Sequence, residues 1–220
     1  ALTKACEEVD VVFHVAAKAG MWGPYEDYHQ ANVVGTSNVI AACQIAKVSR
    51  LVYTSSPSVV FDGKDMEGVD ESVPYPSHYE SHYPKTKAIA EQAVLKANSS
   101  DLATCSLRPH LIWGPGDNHL IPRIVDRAQK GQLRIIGEGK NKVDTVFVHN
   151  AALAHILAAE KLSPDSPVSG KAYFITNDEP RVLWEIINDI LKAAGEPPIT
   201  RHVPKTLAYA AGWVFETVYG

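Results

Sequence analysis

Short apolar runs alternate with longer segments of helical periodicity along the first half of the chain. The runs are rich in β-branched residues and cover residues 9–15, 51–55 and 102–107, a pattern typical of buried parallel strands. Between them, residues 25–47 and 83–97 carry apolar positions near helical spacing. Strands that alternate with helices of this length predict right-handed β-α-β crossovers and a parallel sheet.

The alternation becomes less regular after a turn at residues 114–117. Helices are predicted at residues 121–130, 151–162 and 182–194, and short strands at 134–136, 144–148 and 172–176. We therefore predict an α/β fold with a doubly wound parallel sheet and a smaller lobe interleaved with that sheet. Residues 137–139, a Gly-Glu-Gly segment, are interpreted as a turn, because they are too few to cradle a phosphate.

Composition and charge exclude several function classes. The 220 residues carry a formal net charge of −4 with a pI of about 6.1, so no basic surface points to nucleic acid. The three cysteines are widely separated, form no metal-binding or disulfide pattern, and favour a reducing, cytoplasmic compartment. The histidines show no clustered spacing, so no metal site is expected. No apolar run is long enough to span a bilayer.

The most informative chemistry lies at the start of the helix predicted over residues 83–97. Tyr83 and Lys87 are one helical turn apart and therefore share a face. A carbonyl that is reduced by hydride needs a proton donor at its oxygen, and a free tyrosine with a pKa of about 10 is poorly matched to neutral pH. A neighbouring Lys cation is expected to lower the pKa of Tyr83. Alone the motif has little specificity, because this spacing also occurs on solvated helix faces.

A group of hydroxyls precedes that helix in the sequence. A predicted strand runs directly into Thr54, Ser55 and Ser56, and residues beyond the carboxyl end of a strand lie where ligands bind in open α/β sheets. Ser56 is therefore predicted to hydrogen-bond a substrate carbonyl beside Tyr83, with Ser55 as the alternative. A Ser/Thr turn at a strand end is common, but it does not account for the order of strand, hydroxyl, loop and Tyr-Lys helix.

These residues belong to a longer pattern, through which the chain resembles extended short-chain dehydrogenases/reductases of the 3β-hydroxysteroid dehydrogenase group. The matching segments are residues 13–17 (FHVAA), 32–36 (NVVGT), 53–56 (YTSS), 83–87 (YPKTK), 107–116 (LRPHLIWGPG) and 170–177 (GKAYFITN). The resemblance implies a Rossmann-like sheet. Residues 1–116 would be the C-terminal part of an NAD(P)-binding domain. Residues 117–220 would mostly form a substrate-binding lobe, with some segments returning to the sheet.

Two groups within that family share further segments with the chain. Residues 14–23, 28–32 and 113–120 are similar to β-keto-acid reductases of bacterial long-chain olefin biosynthesis. Residues 139–144 and 175–180 are similar to sterol-4-carboxylate 3-dehydrogenases. The resemblance implies NAD(P)-dependent reduction of a 2-alkyl-3-oxoalkanoate to the 3-hydroxy acid. Oxidation of a 3β-hydroxysteroid or its 4-carboxylate is the enzymatic alternative, and a non-catalytic NAD(P) sensor is the alternative of another class.

Residue roles follow from matching positions in the family pattern. Tyr83 is expected to donate the proton, Lys87 to tune it and hold the cofactor ribose, Ser56 to position the oxygen, and Asn32 to support Lys87 through backbone and water. The cofactor-binding residues are expected to be Ala16, Ala17, Thr54, Tyr83, Lys87, Pro109 and Ile112. NADP(H) is favoured over NAD(H) for a reductase.

Substrate contacts are expected from loops at the same end of the sheet. Besides Ser56, the candidates are Lys18, Trp22, His110 and His119, with simple solvation of the Lys and His side chains as the alternative. Residues 206–215 are apolar and aromatic, and they either pack in a core, line an alkyl-chain pocket, contact a partner subunit or touch a membrane surface. The expected partners are a lipid-like small molecule and a second copy of the chain, in a cytoplasmic protein or one peripheral to the membrane.

The glycine-rich pyrophosphate turn of the family, GxxGxxG after a first strand, does not occur in the sequence. Ala1 has no preceding Met, and a strand pattern begins almost at once. The chain is therefore expected to be a segment of a longer protein and to bind cofactor poorly by itself.

Overall fold

The computed structural model describes residues 1–20, 22–210 and 212, which fall into two compact units. The first unit comprises Ala1–Ile112 with Val148–Thr176, and the second comprises Trp113–Phe147 with Asn177–Gly220. The division predicted at residue 116, and the role of the second part as a substrate-binding lobe, stay predictions.

The helices are α1 (Leu2–Ala5), α2 (Tyr25–Tyr28), α3 (Gly35–Ile45), α4 (His82–Lys96), α5 (Leu120–Gln129), α6 (Val148–Lys161) and α7 (Leu183–Ala193). A π-helical segment, His29–Val34, joins α2 to α3, and a 3-10 helix covers Pro57–Val60. The strands are β1 (Val11–His14), β2 (Arg50–Thr54), β3 (Ala103–Pro109), β4 (Ile112–Trp113), β5 (Ile135–Ile136), β6 (Lys142–Val143), β7 (Val146–Phe147), β8 (Lys171–Ile175), β9 (Arg181–Val182) and β10 (His202–Val203).

A four-stranded sheet in the order β1-β2-β3-β8 forms the centre of the first unit. All three pairings are parallel, with Phe13 opposite Val52, Val52 opposite Cys105, and Cys105 opposite Lys171. The helix α3 connects β1 to β2, and α4 connects β2 to β3. The predicted α/β fold with a parallel sheet is therefore confirmed, because each parallel neighbour is reached through a helical crossover.

The central strand β2 buries both of its faces. Leu51 and Tyr53 pack with Val94 of α4 on one side, whereas Val52 packs with Leu162 and α6 on the other. Successive strand residues point to opposite faces, so the continuous apolar run predicted here serves two cores at once. As a result, the carboxyl end of β2 is fixed from both layers of helices.

Two features of the first unit differ from the regular pattern that the sequence predicts. The helix predicted over residues 25–47 is interrupted by the π-helical turn at His29–Val34. The long polar loop before α4 is tied to its surroundings, because the Tyr79 hydroxyl donates to the Val59 carbonyl over 3.1 Å and the Tyr75 hydroxyl donates to Glu91 over 2.7 Å. The loop therefore covers part of α4 and takes part in the core beside it.

The second unit contains α5, α7 and short strand pairs. β5 pairs in parallel with β10, and β6 pairs antiparallel with β9. The turn predicted at residues 137–139 is confirmed, and both of its glycines, Gly137 and Gly139, adopt positive φ values of 64° and 68°.

Within residues 1–20, 22–210 and 212, no helix combines the length and the apolar character needed to cross a bilayer. The apolar closing stretch at residues 206–215 extends beyond this range, and residues 211 and 213–215 lie outside the described residues.

A matched pair of glycine substitutions tests the packing of the second unit. Both Gly131 (φ 62°) and Gly139 (φ 68°) require the left-handed region, which costs an alanine about 1–2 kcal/mol. A Cβ at Gly131 meets open space, whereas one at Gly139 collides with Ile135 and lies 3.1 Å from the Trp184 ring. We expect Gly139→Ala to reduce the free energy of unfolding by about 2–4 kcal/mol, against about 1 for Gly131→Ala, in urea titrations. Equal losses would contradict the packing described here.

Candidate active site

Tyr83 and Lys87 lie in the first two turns of α4, one turn apart on the same face. The N-cap Ser81 is extended (φ −148°, ψ 167°), so the chain enters the helix directly from the preceding loop. Pro84 stands in the first turn, where backbone N–H groups have no acceptor within the helix, so it removes no hydrogen bond. Buried Ala88 packs on the 3-10 helix and fixes the rotation of α4.

Ser56 lies directly beyond the carboxyl end of β2, beside Tyr83. Its hydroxyl is the N-cap acceptor for the backbone N–H of Ser58 at 3.3 Å and shares a hydrogen bond of 2.8 Å with the Ser58 hydroxyl. The side chain of Ser56 also lies close enough to the Tyr83 phenol to oppose the rise that burial causes in the pKa of Tyr83. Ser55 is buried and helps to lower the pKa of Glu91, while its hydroxyl makes no hydrogen bond within the described residues. The structure therefore brings together the predicted pair, Tyr83 and Ser56, and turns Ser55 away from it.

Lys87 is seated behind this pair. Its side chain is only 1% exposed, its Nζ donates to the Thr54 carbonyl over 2.6 Å, and the ammonium lies 4.1 Å from the centre of the Tyr53 ring. Burial lowers the pKa of Lys87 to about 7, while the negative charge of Glu91 acts in the opposite direction. The ammonium therefore gains and loses its proton near neutral pH.

The expectation that Lys87 lowers the pKa of Tyr83 is not met in this structure. Burial raises the pKa of Tyr83, and the nearby Ser56 side chain only opposes that rise. The physical reason is that burial of the phenol outweighs the influence of the Lys87 ammonium, which is directed at the Thr54 carbonyl. Tyr83 is therefore a neutral phenol that carries the proton a carbonyl reduction needs.

Asn32 lies in the π-helical segment, and its side chain joins the loop after β1 to the helix α4. Its Oδ1 accepts from the Lys18 N–H at 2.7 Å, and its Nδ2 donates to the Lys18 carbonyl at 3.0 Å and to the Thr86 hydroxyl at 3.0 Å. Widened helical turns of this kind often accompany functional sites. Support of Lys87 through backbone and water stays a prediction; the visible effect is to tie the loop after β1 to α4.

The predicted cofactor residues line the ends of neighbouring strands in the first unit. Ala16 and Ala17 follow β1 and are exposed, Pro109 ends β3, and Ile112 is 41% exposed in β4. The Thr54 hydroxyl is bound to the ring of His155 at 2.7 Å. Exposed alanines allow a flat group to approach the backbone closely, beside an ammonium and hydroxyls, so these residues fit a nicotinamide nucleotide.

The predicted substrate residues are less well grouped. Lys18 pairs with Asp27 at 2.9 Å, and Trp22 is 72% exposed. His110 is half-buried, and its N–H donates to the Ile175 carbonyl at 3.0 Å. His119 is exposed at the start of α5 in the second unit, where its N–H donates to Asp117.

Several polar residues around the site are missed by sequence reasoning. Ser58 supports Ser56, Thr86 accepts from Asn32, and a buried pair of Glu91 and Arg108 stands behind Lys87. The position of Glu91 could have been predicted, because it follows Lys87 by four residues and so lies one helical turn further along the same face. Nothing local in the sequence indicates that Arg108 pairs with it.

The arrangement supplies a neutral acid, a second hydroxyl donor and a nearby amine at the carboxyl edge of a parallel sheet. These are the groups that deliver a proton to a carbonyl oxygen and stabilise the resulting phenolate. Among residues 1–20, 22–210 and 212, no cluster of three or more His, Cys, Asp or Glu side chains is placed to hold a metal ion.

Comparison with known proteins agrees with this fold. A model of the 3-beta hydroxysteroid dehydrogenase/isomerase family matches residues 1–204. A 2-alkyl-3-oxoalkanoate reductase of Stenotrophomonas maltophilia (strain K279a) is 51% identical over 221 residues, which cover 100% of this chain and 67% of the relative. A decarboxylating sterol-4-alpha-carboxylate 3-dehydrogenase of Mus musculus is 41% identical over 211 residues, which cover 94% of this chain and 58% of the relative.

Solved structures give the same architecture. MoeE5 in complex with UDP-glucose and NAD is 25% identical, with a TM-score of 0.75 over 92% of this chain and 68% of that protein. The chain thus has a Rossmann-like α/β fold, and it spans 58% to 67% of the length of the two curated relatives. Because the family model matches most of the chain, the chain belongs to the 3-beta hydroxysteroid dehydrogenase/isomerase family.

Proposed function

We propose that this chain carries the catalytic residues of an NAD(P)-dependent oxidoreductase that reduces the 3-oxo group of a 2-alkyl-3-oxoalkanoate to the 3-hydroxy acid. The observation that carries the proposal is the Tyr83 phenol beside the Ser56 side chain, with the buried Lys87 ammonium held on the Thr54 carbonyl. The 51% identity to a 2-alkyl-3-oxoalkanoate reductase supports the substrate class.

In the proposed reaction, Tyr83 donates its proton to the 3-oxo oxygen. Burial raises the pKa of Tyr83, so the phenol is protonated at neutral pH and available as the acid. Ser56 donates a hydrogen bond to the same oxygen, and Ser58 keeps the Ser56 hydroxyl in place. Lys87 stabilises the phenolate that forms on Tyr83, and Asn32 holds the loop after β1 against α4.

A nicotinamide cofactor, when bound, supplies the hydride. The residues that would hold it are those at the strand ends, Ala16, Ala17, Thr54, Pro109 and Ile112, together with Tyr83 and Lys87 on α4. We propose NADP(H) rather than NAD(H), because reduction is the favoured direction.

Oxidation of a 3β-hydroxysteroid or its 4-carboxylate is the second candidate, favoured by the 41% identity to a sterol-4-alpha-carboxylate 3-dehydrogenase. The same side chains serve it in reverse, with Tyr83 accepting the proton. A non-catalytic NAD(P) sensor would need neither the phenol nor the hydroxyl pair, and the presence of both favours an enzyme.

We also propose a cytoplasmic homodimer that uses α3 and α4. Ile45 is 67% exposed at the end of α3 and Ile89 is exposed on α4, and apolar side chains of this size on neighbouring helices suit a subunit interface. Contact of residues 206–215 with a membrane surface is part of the same proposal.

Removal of the Tyr83 hydroxyl tests the mechanism. We expect Tyr83→Phe to lower kcat by about 10²–10⁴-fold, because a positioned acid contributes that much, with NADPH and a 2-alkyl-3-oxo acid in the full-length protein. Tyr79→Phe is the matched control, since that hydroxyl donates to the Val59 carbonyl and takes no part in the pair. Full turnover in Tyr83→Phe would disprove the mechanism.

A substrate and cofactor panel tests the specificity. Racemic 2-alkyl-3-oxo acids and 3β-hydroxysteroids with and without a 4-carboxylate are compared by kcat/KM, each with NADP(H) and NAD(H). We expect the oxo acids with NADPH to give the highest value. Faster turnover of a sterol would replace the first candidate by the second, and no turnover with any compound would favour the sensor.

Substitutions at Lys18 and Asp27 test whether Lys18 contacts the substrate carboxylate. Lys18→Ala should raise KM for the oxo acid, and Asp27→Asn should lower it by freeing Lys18 from its 2.9 Å ion pair. An exposed pair is worth about 0.2–1 kcal/mol, so each change is expected to be about fivefold at most, with kcat unchanged. If neither KM moves, Lys18 does not contact the substrate.

A further inference from the structure

A buried charged cluster lies directly behind Lys87 in the first unit. Glu91 and Arg108 are 0% and 2% exposed, and the Arg108 Nη2 donates to Glu91 Oε1 over 2.7 Å. The Arg108 Nε, the Tyr75 hydroxyl and the Ser106 hydroxyl also donate to this carboxylate, over 3.1, 2.7 and 2.8 Å. Glu91 is therefore an ionised, rigidly held carboxylate.

Stability alone does not explain this cluster. Removing two ions from water is unfavourable enough that a buried pair is often no better than well-packed apolar side chains. Glu91 follows Lys87 by one turn on α4, so its charge lies close to the ammonium that contacts the Thr54 carbonyl and the Tyr53 ring. The cluster thus places a fixed negative charge beside the one buried amine of the site.

We propose that Glu91 is a positioning residue for the reaction, whose carboxylate keeps Lys87 charged and directed at the Thr54 carbonyl while Arg108 holds that carboxylate. The inference deepens the proposed function and rests on it, because Lys87 affects turnover through Tyr83. Without Glu91, burial alone would leave the amine neutral over more of the physiological pH range.

The other titratable groups around Lys87 do not supply a negative charge. On β1, burial and the Lys87 charge lower the pKa of His14 to about 4. Burial raises the pKa of Tyr53 on β2, of Tyr83 on α4 and of Tyr75 in the loop. On β3, burial acts to lower the pKa of Arg108, but Glu91 raises it overall, so that side chain is a cation. At neutral pH, Glu91 is the anion of this group.

The titration of Lys87 tests the inference without any assay of turnover. In the full chain carrying ¹³C-labelled lysine, the Lys87 signal is assigned by its loss in Lys87→Met and followed against pH by NMR. Glu91→Gln is expected to lower the proton affinity of Lys87 about tenfold or more. Tyr75→Phe is the matched control, since it removes one hydrogen bond from the same carboxylate and keeps its charge. It should leave the proton affinity within about twofold of the wild type.

A second variant is needed in case Glu91→Gln does not fold, because that substitution leaves the Arg108 charge buried without its partner. The double variant Glu91→Gln/Arg108→Gln removes both charges and is expected to show the same direction of change. An unchanged Lys87 titration in whichever folded variant is measured overturns the inference.

The pH profile of kcat separates this inference from the proposed function. In the full-length protein, loss of turnover in Glu91→Gln should be large at neutral pH and partly recovered at lower pH, where Lys87 regains its proton. A uniform loss at every pH would indicate a merely structural role and overturn the inference. If the wild type reduces no oxo acid while the Lys87 titration still shifts, the proposed function fails and the electrostatic link between Glu91 and Lys87 remains supported.

Discussion

The site depends on the burial of one ammonium group at the carboxyl end of a parallel sheet. Removing such an ion from water is unfavourable by several kcal/mol, so Lys87 can lie here only because polar groups replace its hydration. The Thr54 carbonyl accepts a hydrogen bond from the Lys87 Nζ over 2.6 Å, and the centre of the Tyr53 ring lies 4.1 Å from the same atom. This contact joins the end of β2 to α4. Because Ser56 follows Thr54 and Tyr83 precedes Lys87 by one turn, it also brings the two reactive hydroxyls together.

Helices on both faces of the sheet contact the last two residues of β2, Tyr53 and Thr54. Tyr53 faces α4, whereas the Thr54 hydroxyl faces α6 and bonds to the His155 ring at 2.7 Å. The other ring nitrogen of His155 bonds to the Ala151 carbonyl at 2.7 Å, so the imidazole cannot turn away without losing a second contact. Thr54, whose carbonyl holds Lys87, is thus fixed from the side of α6 by His155.

The sequence predicts the elements and the central pair, since both depend on local spacing. Apolar runs locate β1, β2 and β3, and the strand-end position of Ser56 together with the Tyr83–Lys87 spacing predicts their meeting. The direction of the Tyr83 pKa was predicted wrongly, because burial outweighs the influence of the lysine and depends on how the loop before α4 folds back. The pairing of Glu91 with Arg108 is likewise non-local, as it joins a helix to the next strand across the core.

Under the proposed function, proton delivery and substrate choice depend on different residues. The groups that govern the charge of Lys87 lie in the core, where a change of one residue disturbs several hydrogen bonds at once. The candidates for substrate contact, such as Lys18 and Trp22, lie on loops where they are half-buried or exposed. Loop residues can therefore change without disturbing the acid. This accounts physically for a family in which relatives of similar sequence are named for oxo acids in one case and for sterol carboxylates in another.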